Sequence, residues 1–269
     1  MSVAEMRILH RIEHIFKYII KNNKFTEIPK VLFRSVLYQM FKRFTNRTIS
    51  KRLFNGKQIF LYPRCNISTM FVYTEIPDRE EIMLLRKLAD HRTVLLDIGA
   101  NVGSYSVMLM DKVKDVIAFE PHPSTAIRCK MNFLLNGYSE VKVNQLALSD
   151  VIGETNLLDN RESSTLNRIT DDTNSSIRVA VSSLDHFIKT NEDSILRDDT
   201  FIVKVDVEGC EENVFRGGQE FFKNYSVKGV VFECLENAEQ VFRILKNFGY
   251  QIKRISSNNF FAYRDGMRE

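Results

Sequence analysis

From residue 94 onward, apolar runs of strand length alternate with segments of helical hydrophobic period. Continuous apolar runs are typical of strands that are covered on both faces. Alternating strands and helices therefore predict an α/β fold with a doubly wound, mostly parallel sheet. The predicted strands are Val94–Ile98, Val116–Phe119, Val141–Leu148, Phe201–Val207 and Val230–Leu235, and the predicted helices are Ser104–Val113, Ser124–Leu135, Glu211–Phe222 and Ala238–Phe248.

The end of the chain departs from this alternation. Two strand-like runs, Tyr250–Ile255 and Phe260–Tyr263, are joined by four polar residues, which predicts an antiparallel hairpin on the edge of the sheet. Residues 153–178 are rich in Ser, Thr, Asn and Asp and predict a long loop or an extra hairpin near the active face. The motif SSLD, Ser182–Asp185, predicts a capped start for the next helix.

Two amphipathic helical segments precede the sheet, one around residues 8–20 and one over Pro29–Phe44. The pair Asn55-Gly56 then predicts a tight hairpin turn within a small β section. The segment Arg79–Ala89 has a helical period and leads into the first strand of the sheet. We therefore expect a helical N-terminal extension or cap (1–50), a small β section with a lead-in helix (51–90) and a main domain (91–269).

Charge is unevenly distributed along the chain. Residues 1–57 contain 13 Lys or Arg and three acidic residues, a net charge of +10, whereas the remainder has a net charge of −6. A basic, amphipathic N-terminal segment predicts contact with an anionic membrane or polymer, because apolar burial and charge attraction act together there. The alternative is a helical cap that packs on the main domain and leaves its charges solvated.

Composition excludes several protein classes. With 44% apolar and 27% charged residues, the chain is neither disordered nor fibrous, and no apolar run is long enough for a membrane-spanning helix. The four cysteines are far apart in sequence, which predicts reduced thiols rather than a disulfide framework or a cysteine metal site. The N-terminus lacks a secretory signal pattern, so we expect a cytoplasmic protein, with the basic segment peripheral to the inner face of the membrane.

The first strand-to-helix turn of the main domain predicts a ligand site, because ligands of doubly wound sheets bind at the carboxyl ends of the strands. In the motif DIGANVGSYS, Gly99 and Gly103 allow a tight turn and a close backbone approach. Asn101 and Ser104 stand where a dinucleotide-binding loop has glycines, which disfavours a nicotinamide-dependent oxidoreductase. The carboxylate of Asp97 favours a ligand with a cationic end.

The next predicted strand ends at Glu120, 23 residues after Asp97. This interval is close to the one at which an acidic residue binds a ribose diol. An adenosine ligand with a positively charged tail fits both carboxylates, and S-adenosylmethionine is such a ligand. The alternative is that each carboxylate only caps a helix or is solvated.

Four motifs, DIGANVGSYS, AFEPHPSTAIRCKMN, LALSD and FIVKVDVEGCEENVFRGG, resemble in order and spacing the FkbM family of S-adenosylmethionine-dependent methyltransferases. The resemblance covers about residues 59–250. It implies the class I methyltransferase fold, a Rossmann-like sheet of seven strands with a reversed last hairpin, and methyl transfer to oxygen, often of a sugar or natural product. The donor-binding residues that it implies are Asp97, Gly99, Ala100, Asn101, Gly103, Ser104, Glu120, Pro121, His122, Ala147 and Ser149.

Methyl transfer to an alcohol requires that the hydroxyl lose its proton, so a basic side chain must lie near the acceptor. The alternation of the fourth strand places Lys204 and Asp206 on one face. Glu208 follows that strand, and Glu233 reaches the end of the next one. Three carboxylates and one ammonium are therefore expected to converge beside the acceptor.

Three interpretations of these residues stay open from the sequence. Asp206 or Glu208 is the general base, with Lys204 orienting it or offsetting alkoxide charge. Alternatively, Asp206, Glu208 and Glu233 hold a divalent metal such as Mg²⁺, which prefers oxygen ligands. In the third interpretation, Lys204 and Glu233 form a buried ion pair that only stabilises the sheet.

The polar loop is where we expect the acceptor to bind. Ser163 and Ser164 lie in the polar loop and resemble an SSL element that recurs in the family. We expect their hydroxyls to contact the acceptor, which we expect to be a sugar, glycan or other secondary-metabolite hydroxyl. A nucleic-acid acceptor is disfavoured, because the motifs Pro-Pro-Tyr and Pro-Cys of base methylation are absent from the sequence. A non-catalytic, surface-bound adaptor is disfavoured by the intact ligand loop.

Overall fold

The computed structural model describes residues 3–63, 65–138, 142–158, 176–191, 199–235 and 237–264. The chain divides into two compact units, Met1–Pro77 and Asp78–Glu269.

The first unit combines three helices with a two-stranded hairpin. Helices α1 (Val3–Asn22), α2 (Ile28–Phe44) and α3 (Asn66–Tyr73) pack against one another. Strands β1 (Ile49–Arg52) and β2 (Gln58–Leu61) pair antiparallel on either side of the predicted Asn55-Gly56 turn, in which Gly56 has φ +79°. Only glycine adopts this left-handed conformation without steric cost, and the predicted hairpin is confirmed.

The second unit contains the remaining elements. Its strands are β3 (Thr93–Ile98), β4 (Asp115–Phe119), β5 (Val143–Asn144), β6 (Ala147–Leu148), β7 (Gly153–Leu158), β8 (Ser176–Ser182), β9 (Thr200–Val205), β10 (Ser226–Glu233), β11 (Gln251–Arg254) and β12 (Asn259–Tyr263). Its helices are α4 (Arg79–Leu88), α5 (Ser104–Leu109), α6 (Pro123–Leu135), α7 (Leu184–Thr190), α8 (Glu211–Gly217), α9 (Gln219–Asn224) and α10 (Ala238–Asn247).

Seven strands form one sheet in the order β11-β12-β10-β9-β3-β4-β5. The five strands from β10 to β5 are parallel, whereas β12 runs antiparallel to β10 and pairs with β11. This confirms the predicted mostly parallel sheet with a C-terminal antiparallel hairpin. The chain order reverses between β3 and β9, so the ends of these two strands border the crevice in which such sheets bind ligands.

The core explains why the strands are apolar without alternation. All six residues of β3 are buried, and so are the last five of β9, because helices cover both faces of the sheet. Phenylalanines from β9, β10, α8 and α9 pack edge-to-face in one cluster: Phe201, Phe215, Phe221, Phe222 and Phe232. This packing stabilises the strands whose carboxyl ends carry the site.

Two elements that the sequence predicts as continuous are each divided in the structure. The described part of the predicted strand Val141–Leu148 is split, because a tight turn in which Leu146 N donates to Asn144 O (2.9 Å) separates β5 from β6. The predicted helix Glu211–Phe222 is also two helices, α8 and α9, which meet at Gly218. Glycine is a poor helix former, so the break falls there.

A three-stranded sheet in the order β6-β8-β7 lies beside the main sheet. The antiparallel pairing of β7 with β8 runs from Gly153↔Val181 to Leu158↔Ser176, which confirms an extra hairpin in the polar region. Ser183 caps α7, because its hydroxyl accepts a hydrogen bond from His186 N (3.1 Å), as predicted.

In the described parts of the chain, each helix is too short or too polar to cross a bilayer.

Candidate active site

The glycine loop between β3 and α5 has a strongly bent backbone. Gly99 and Gly103 have φ +76° and +79°, and Asn101 has φ +52°. A Cβ atom on Gly99 would lie 1.7 Å from the carbonyl oxygen of Asp206, and one on Gly103 would lie 2.8 Å from Cys129 Sγ. Both positions therefore require glycine for their conformation and for close packing.

Asp97 lies beneath this loop, completely buried at the end of β3. Its Oδ2 accepts hydrogen bonds from Ser106 N (3.2 Å) and Ser106 Oγ (2.6 Å), so the carboxylate anchors the first turn of α5. Its Oδ1 has no hydrogen-bond partner among the described residues, although Lys204 Nζ lies 3.6 Å away. Asp97 therefore holds the loop and brings one unsatisfied oxygen to the site.

Glu120 joins the glycine loop to the segment that follows β4. Its two carboxyl oxygens accept hydrogen bonds from Asn101 N (3.0 Å) and His122 N (2.9 Å). Burial raises the pKa of Glu120 to about 7, against the lowering effect of these two hydrogen bonds. The carboxyl thus sits at the crevice with oxygen lone pairs left for a ligand.

The other predicted donor-binding residues surround these three groups. Ala100 and Ser104 are buried within the loop, and Pro121 is half-buried next to Glu120. Ala147 lies in β6, and Ser149 N donates to Ser182 O (2.9 Å). The carbonyl of Ser149 packs so closely against α8 that a Cβ on Gly217 would lie 1.9 Å from it. Ser163 and Ser164, predicted to bind the acceptor, lie outside the described residues.

Lys204 is the positive centre of the site. Its Nζ donates to the carbonyl of Gly99 (2.6 Å) and forms ion pairs with Asp97 Oδ1 (3.6 Å) and Asp206 Oδ2 (3.4 Å). Burial by itself lowers the pKa of Lys204, but Asp206 and Asp97 outweigh this effect and raise it. Lys204 is therefore an ammonium that links the glycine loop to the carboxylates. The interpretation in which Lys204 pairs with Glu233 is wrong, because its ion-pair partners are Asp97 and Asp206.

Asp206 lies directly against the glycine loop. Its backbone N donates to Ile98 O (3.0 Å), and its side chain is about one third exposed. Glu233 donates a hydrogen bond to the Asp206 carboxylate when it is protonated. Asp206 is thus a carboxylate that is fixed on two sides, by Lys204 and by Glu233, and still reaches the crevice.

Two neighbouring carboxyls have strongly raised proton affinity. Burial raises the pKa of Glu208 to about 7, and the charges of Asp206 and Glu211 add to this effect. Burial also raises the pKa of Glu233 to about 7, with added repulsion from Asp206 and Glu208. A carboxyl with a pKa near 7 exchanges its proton readily at neutral pH, as acid-base catalysis requires.

Asp78 and Tyr105 belong to the same cluster and were missed in the sequence. Asp78 precedes α4, but its side chain makes no capping bond and instead binds the Tyr105 hydroxyl. Part of the Asp78 residue is exposed, but neighbouring atoms crowd its carboxyl and displace water from it. This desolvation, with repulsion from Glu81 and Asp206, raises the pKa of Asp78 to about 6. The ring of Tyr105 lies 5.3 Å from Lys204 Nζ. The only sequence signal, Pro-Asp before a helix, indicates a helix start rather than a site.

Backbone strain also concentrates at this crevice. In the described ranges, four residues other than glycine have positive φ: Asp78, Asn101, Glu208 and Asn237. Asn101, Glu208 and Asn237 follow the carboxyl ends of β3, β9 and β10, which border the crevice. Asn and Asp adopt the left-handed region comparatively readily, so Glu208 is the most strained of the four, and such strain is typical of functional sites.

The metal-binding interpretation finds no support in this geometry. Within the part of the chain that the structure describes, no group of three or more His, Cys, Asp or Glu side chains is arranged to hold a metal ion. Asp206, Glu208 and Glu233 are neighbours, but Asp206 pairs with Lys204 (3.4 Å), and Glu208 and Glu233 have raised pKa values, so the three carboxyls share charge and protons with one another.

Comparison with known proteins identifies a family. Residues 97–252 match the model of the methyltransferase FkbM domain, which is more than half of the chain. No curated protein sequence matched the chain. Among solved structures, a precorrin-6y methyltransferase of Geobacter metallireducens is 13% identical, with 71% of this chain and 89% of that chain covered and a TM-score of 0.42. An rRNA methylase of Streptococcus thermophilus is 10% identical, with 70% and 94% covered and a TM-score of 0.43.

Proposed function

We propose that this chain, which belongs to the FkbM methyltransferase family and is an S-adenosylmethionine-dependent methyltransferase, transfers the methyl group to a hydroxyl oxygen. The observation that carries the proposal is the position of Asp206. Its backbone touches the glycine loop, and its carboxylate faces the crevice next to Lys204. A proton acceptor is therefore held directly beside the donor-binding loop.

The residues at the glycine loop fit the methyl donor. Gly99 and Gly103 let the loop pack directly against Asp206 and Cys129, which fixes the bent backbone that the donor would contact. Glu120 is suited to bind the two ribose hydroxyls, and Asp97 with its unsatisfied oxygen adds negative potential beneath the cationic methionine portion. S-Adenosylmethionine, when bound, supplies a methyl group made electrophilic by its positive sulfur.

The carboxylates on the other side of the crevice are suited to activate the acceptor. We assign Asp206 as the group that accepts the hydroxyl proton, because Lys204 and Glu233 hold its carboxylate in place. Glu208, with a pKa of about 7, then passes the proton towards solvent. Lys204 limits the build-up of negative charge as the hydroxyl loses its proton.

The charge of the site favours a neutral acceptor. Asp78, Asp206 and the partly ionised Glu208 and Glu233 surround one ammonium at neutral pH, so an acceptor with phosphate or carboxylate near the reacting oxygen would be repelled. Sugar hydroxyls are neutral and donate hydrogen bonds to carboxylates. These features support a sugar or glycan hydroxyl and disfavour nucleic acid, which carries a phosphate at each nucleotide.

Calorimetric titration with S-adenosylhomocysteine tests the donor half of the proposal. We expect micromolar binding of S-adenosylhomocysteine and no binding of NADH or NADP⁺, because the loop lacks the glycines of a dinucleotide site. A screen of neutral glycosides with methyl-labelled donor then identifies the acceptor. Binding of NADH, or labelling of amine acceptors only, would contradict the proposal.

Glu120 makes the donor affinity depend on pH. Its pKa of about 7 in the free protein means that the ionised form, which accepts both ribose hydroxyls, is lost as the pH falls through 7. Ligand binding favours that ionised form, so the affinity for S-adenosylhomocysteine should increase with pH, by about tenfold between pH 6 and pH 8. Calorimetry at several pH values measures this effect.

The variant Glu120→Gln is the matched control for this pH profile. It keeps the shape of the side chain and removes the titrating group, while the neighbouring His122 remains. We expect weaker binding, by about tenfold or more, and a flat profile between pH 6 and pH 8. An unchanged slope in Glu120→Gln would assign the pH dependence to another group.

A further inference from the structure

The first unit exposes an apolar stripe on α2 that its own packing leaves uncovered. Val31, Ser35 and Tyr38 are buried and form the inner face of this helix. On the outer face, five large apolar side chains are exposed, and at 100° per residue they fall within an arc of about 100°. They are Phe33, Val36, Leu37, Met40 and Phe44.

Basic residues border this stripe. Projected along α2, Lys30 and Arg43 lie on opposite edges of the stripe, and both are exposed. Long basic side chains in this position extend their ammonium or guanidinium groups to the headgroups while the apolar residues between them are immersed. The neighbouring helix α1 repeats the pattern with exposed Ile12, Phe16 and Ile20. Phe25, between the two helices, is 88% exposed.

We propose that this stripe, defined as the exposed apolar face of α2 with Lys30 and Arg43 at its edges, binds the surface of an anionic lipid bilayer. Burial of the apolar side chains and attraction of the basic edges to anionic headgroups act in the same direction. The proposal goes beyond the proposed function and does not depend on it.

Charge and shape favour a lipid surface over other occupants. A second copy of this chain would bring another basic segment of the same charge, +10 over residues 1–57, against the first. An anionic polymer would pair with Lys30 and Arg43 but would leave the apolar residues between them in water. A bilayer surface satisfies both parts of the stripe.

Sedimentation with vesicles tests the proposal on the full chain. We expect binding to vesicles of phosphatidylcholine mixed with an equal amount of phosphatidylglycerol, and little binding to phosphatidylcholine alone. Phe33→Ser with Phe44→Ser should lower the partition coefficient at least about tenfold, because two apolar side chains, 67% and 78% exposed, no longer enter the bilayer. Lys30→Gln with Arg43→Gln should lower it on the order of tenfold at low salt.

The matched control is Val151→Ser with Ile152→Ser, which removes two apolar side chains of similar exposure, 56% and 62%, from the other unit. It should bind vesicles like the parent chain. An unchanged melting temperature of each variant verifies that it is folded. Vesicle sedimentation does not involve methyl transfer, so its result does not depend on the proposed activity.

Three results would overturn the proposal: no binding to anionic vesicles, equal binding to both lipid compositions, or equal loss of binding in the control. Light scattering adds a fourth. If the parent chain is a dimer, and Phe33→Ser with Phe44→Ser converts it to a monomer, the stripe is a self-association surface instead.

Discussion

Replacing Asp206 by asparagine is expected to lower turnover by about 10² to 10⁴ while leaving the affinity for S-adenosylhomocysteine within a few-fold of the parent value. Asparagine keeps the size of the side chain and cannot accept the hydroxyl proton. The donor loop touches the backbone of Asp206 rather than its carboxylate, so donor binding should persist. Initial rates with the acceptor found by the glycoside screen, together with calorimetry, measure both quantities.

Glu208→Gln is the comparison that separates the two candidate bases. Glu208 has a pKa of about 7 but lacks the ion pair with Lys204 and the backbone contact with the loop that position Asp206, so we expect a smaller loss of turnover and a change in the pH dependence of the rate. A larger loss in Glu208→Gln than in Asp206→Asn would make Glu208 the base. Equal loss of donor affinity in Asp206→Asn and Glu120→Gln would contradict the division of the site into donor and acceptor sides.

Replacing Lys204 by methionine is expected to lower the free energy of unfolding by about 3 to 5 kcal/mol at pH 8. Methionine fills a similar volume and removes the ammonium, which leaves the fully buried Asp97 without its nearest positive charge and the carbonyl of Gly99 without its donor. Denaturant unfolding measures the loss. The loss should shrink as the pH is lowered and the carboxylates become protonated.

Lys228→Met is the matched control for this variant. Lys228 lies on the neighbouring strand β10 and pairs with Asp90 (2.7 Å), whose side chain is 42% exposed, so this variant should cost about 1 kcal/mol or less. Adding Asp97→Asn to Lys204→Met removes both buried charges and should recover part of the lost stability. If Lys204→Met lowers the free energy of unfolding no more than Lys228→Met does, Lys204 does not compensate a buried charge.

Much of the donor side could be predicted from the sequence, because its signals are local. Gly99, Gly103 and Glu120 stand at fixed distances from predicted strands, and each strand end brings its residue to the same edge of the sheet. The family resemblance gave the same assignment, and the match over residues 97–252 confirmed the family. The roles assigned to individual residues stay predictions.

The acceptor side could be predicted only in part. The period of β9 indicated that Lys204 and Asp206 share a face, but it could not show that Lys204 donates to Gly99 O across the sheet. Asp78 and Tyr105 have no pattern that marks them as neighbours of Asp206. The split of residues 142–148 between two sheets also depends on a partner strand more than 30 residues away.

The sequence by itself determined the order of strands and helices, the glycine loop and the uneven distribution of charge, since periodicity, spacing and composition are properties of the chain alone. Only the tertiary structure decided which carboxyls hold protons near neutral pH, because the pKa values of Glu120, Glu208 and Glu233 depend on burial and on charges brought close by folding. The exposure of the stripe on α2 also depended on the tertiary structure. The spacing of apolar residues along a helix does not show which of its faces is covered by neighbouring elements.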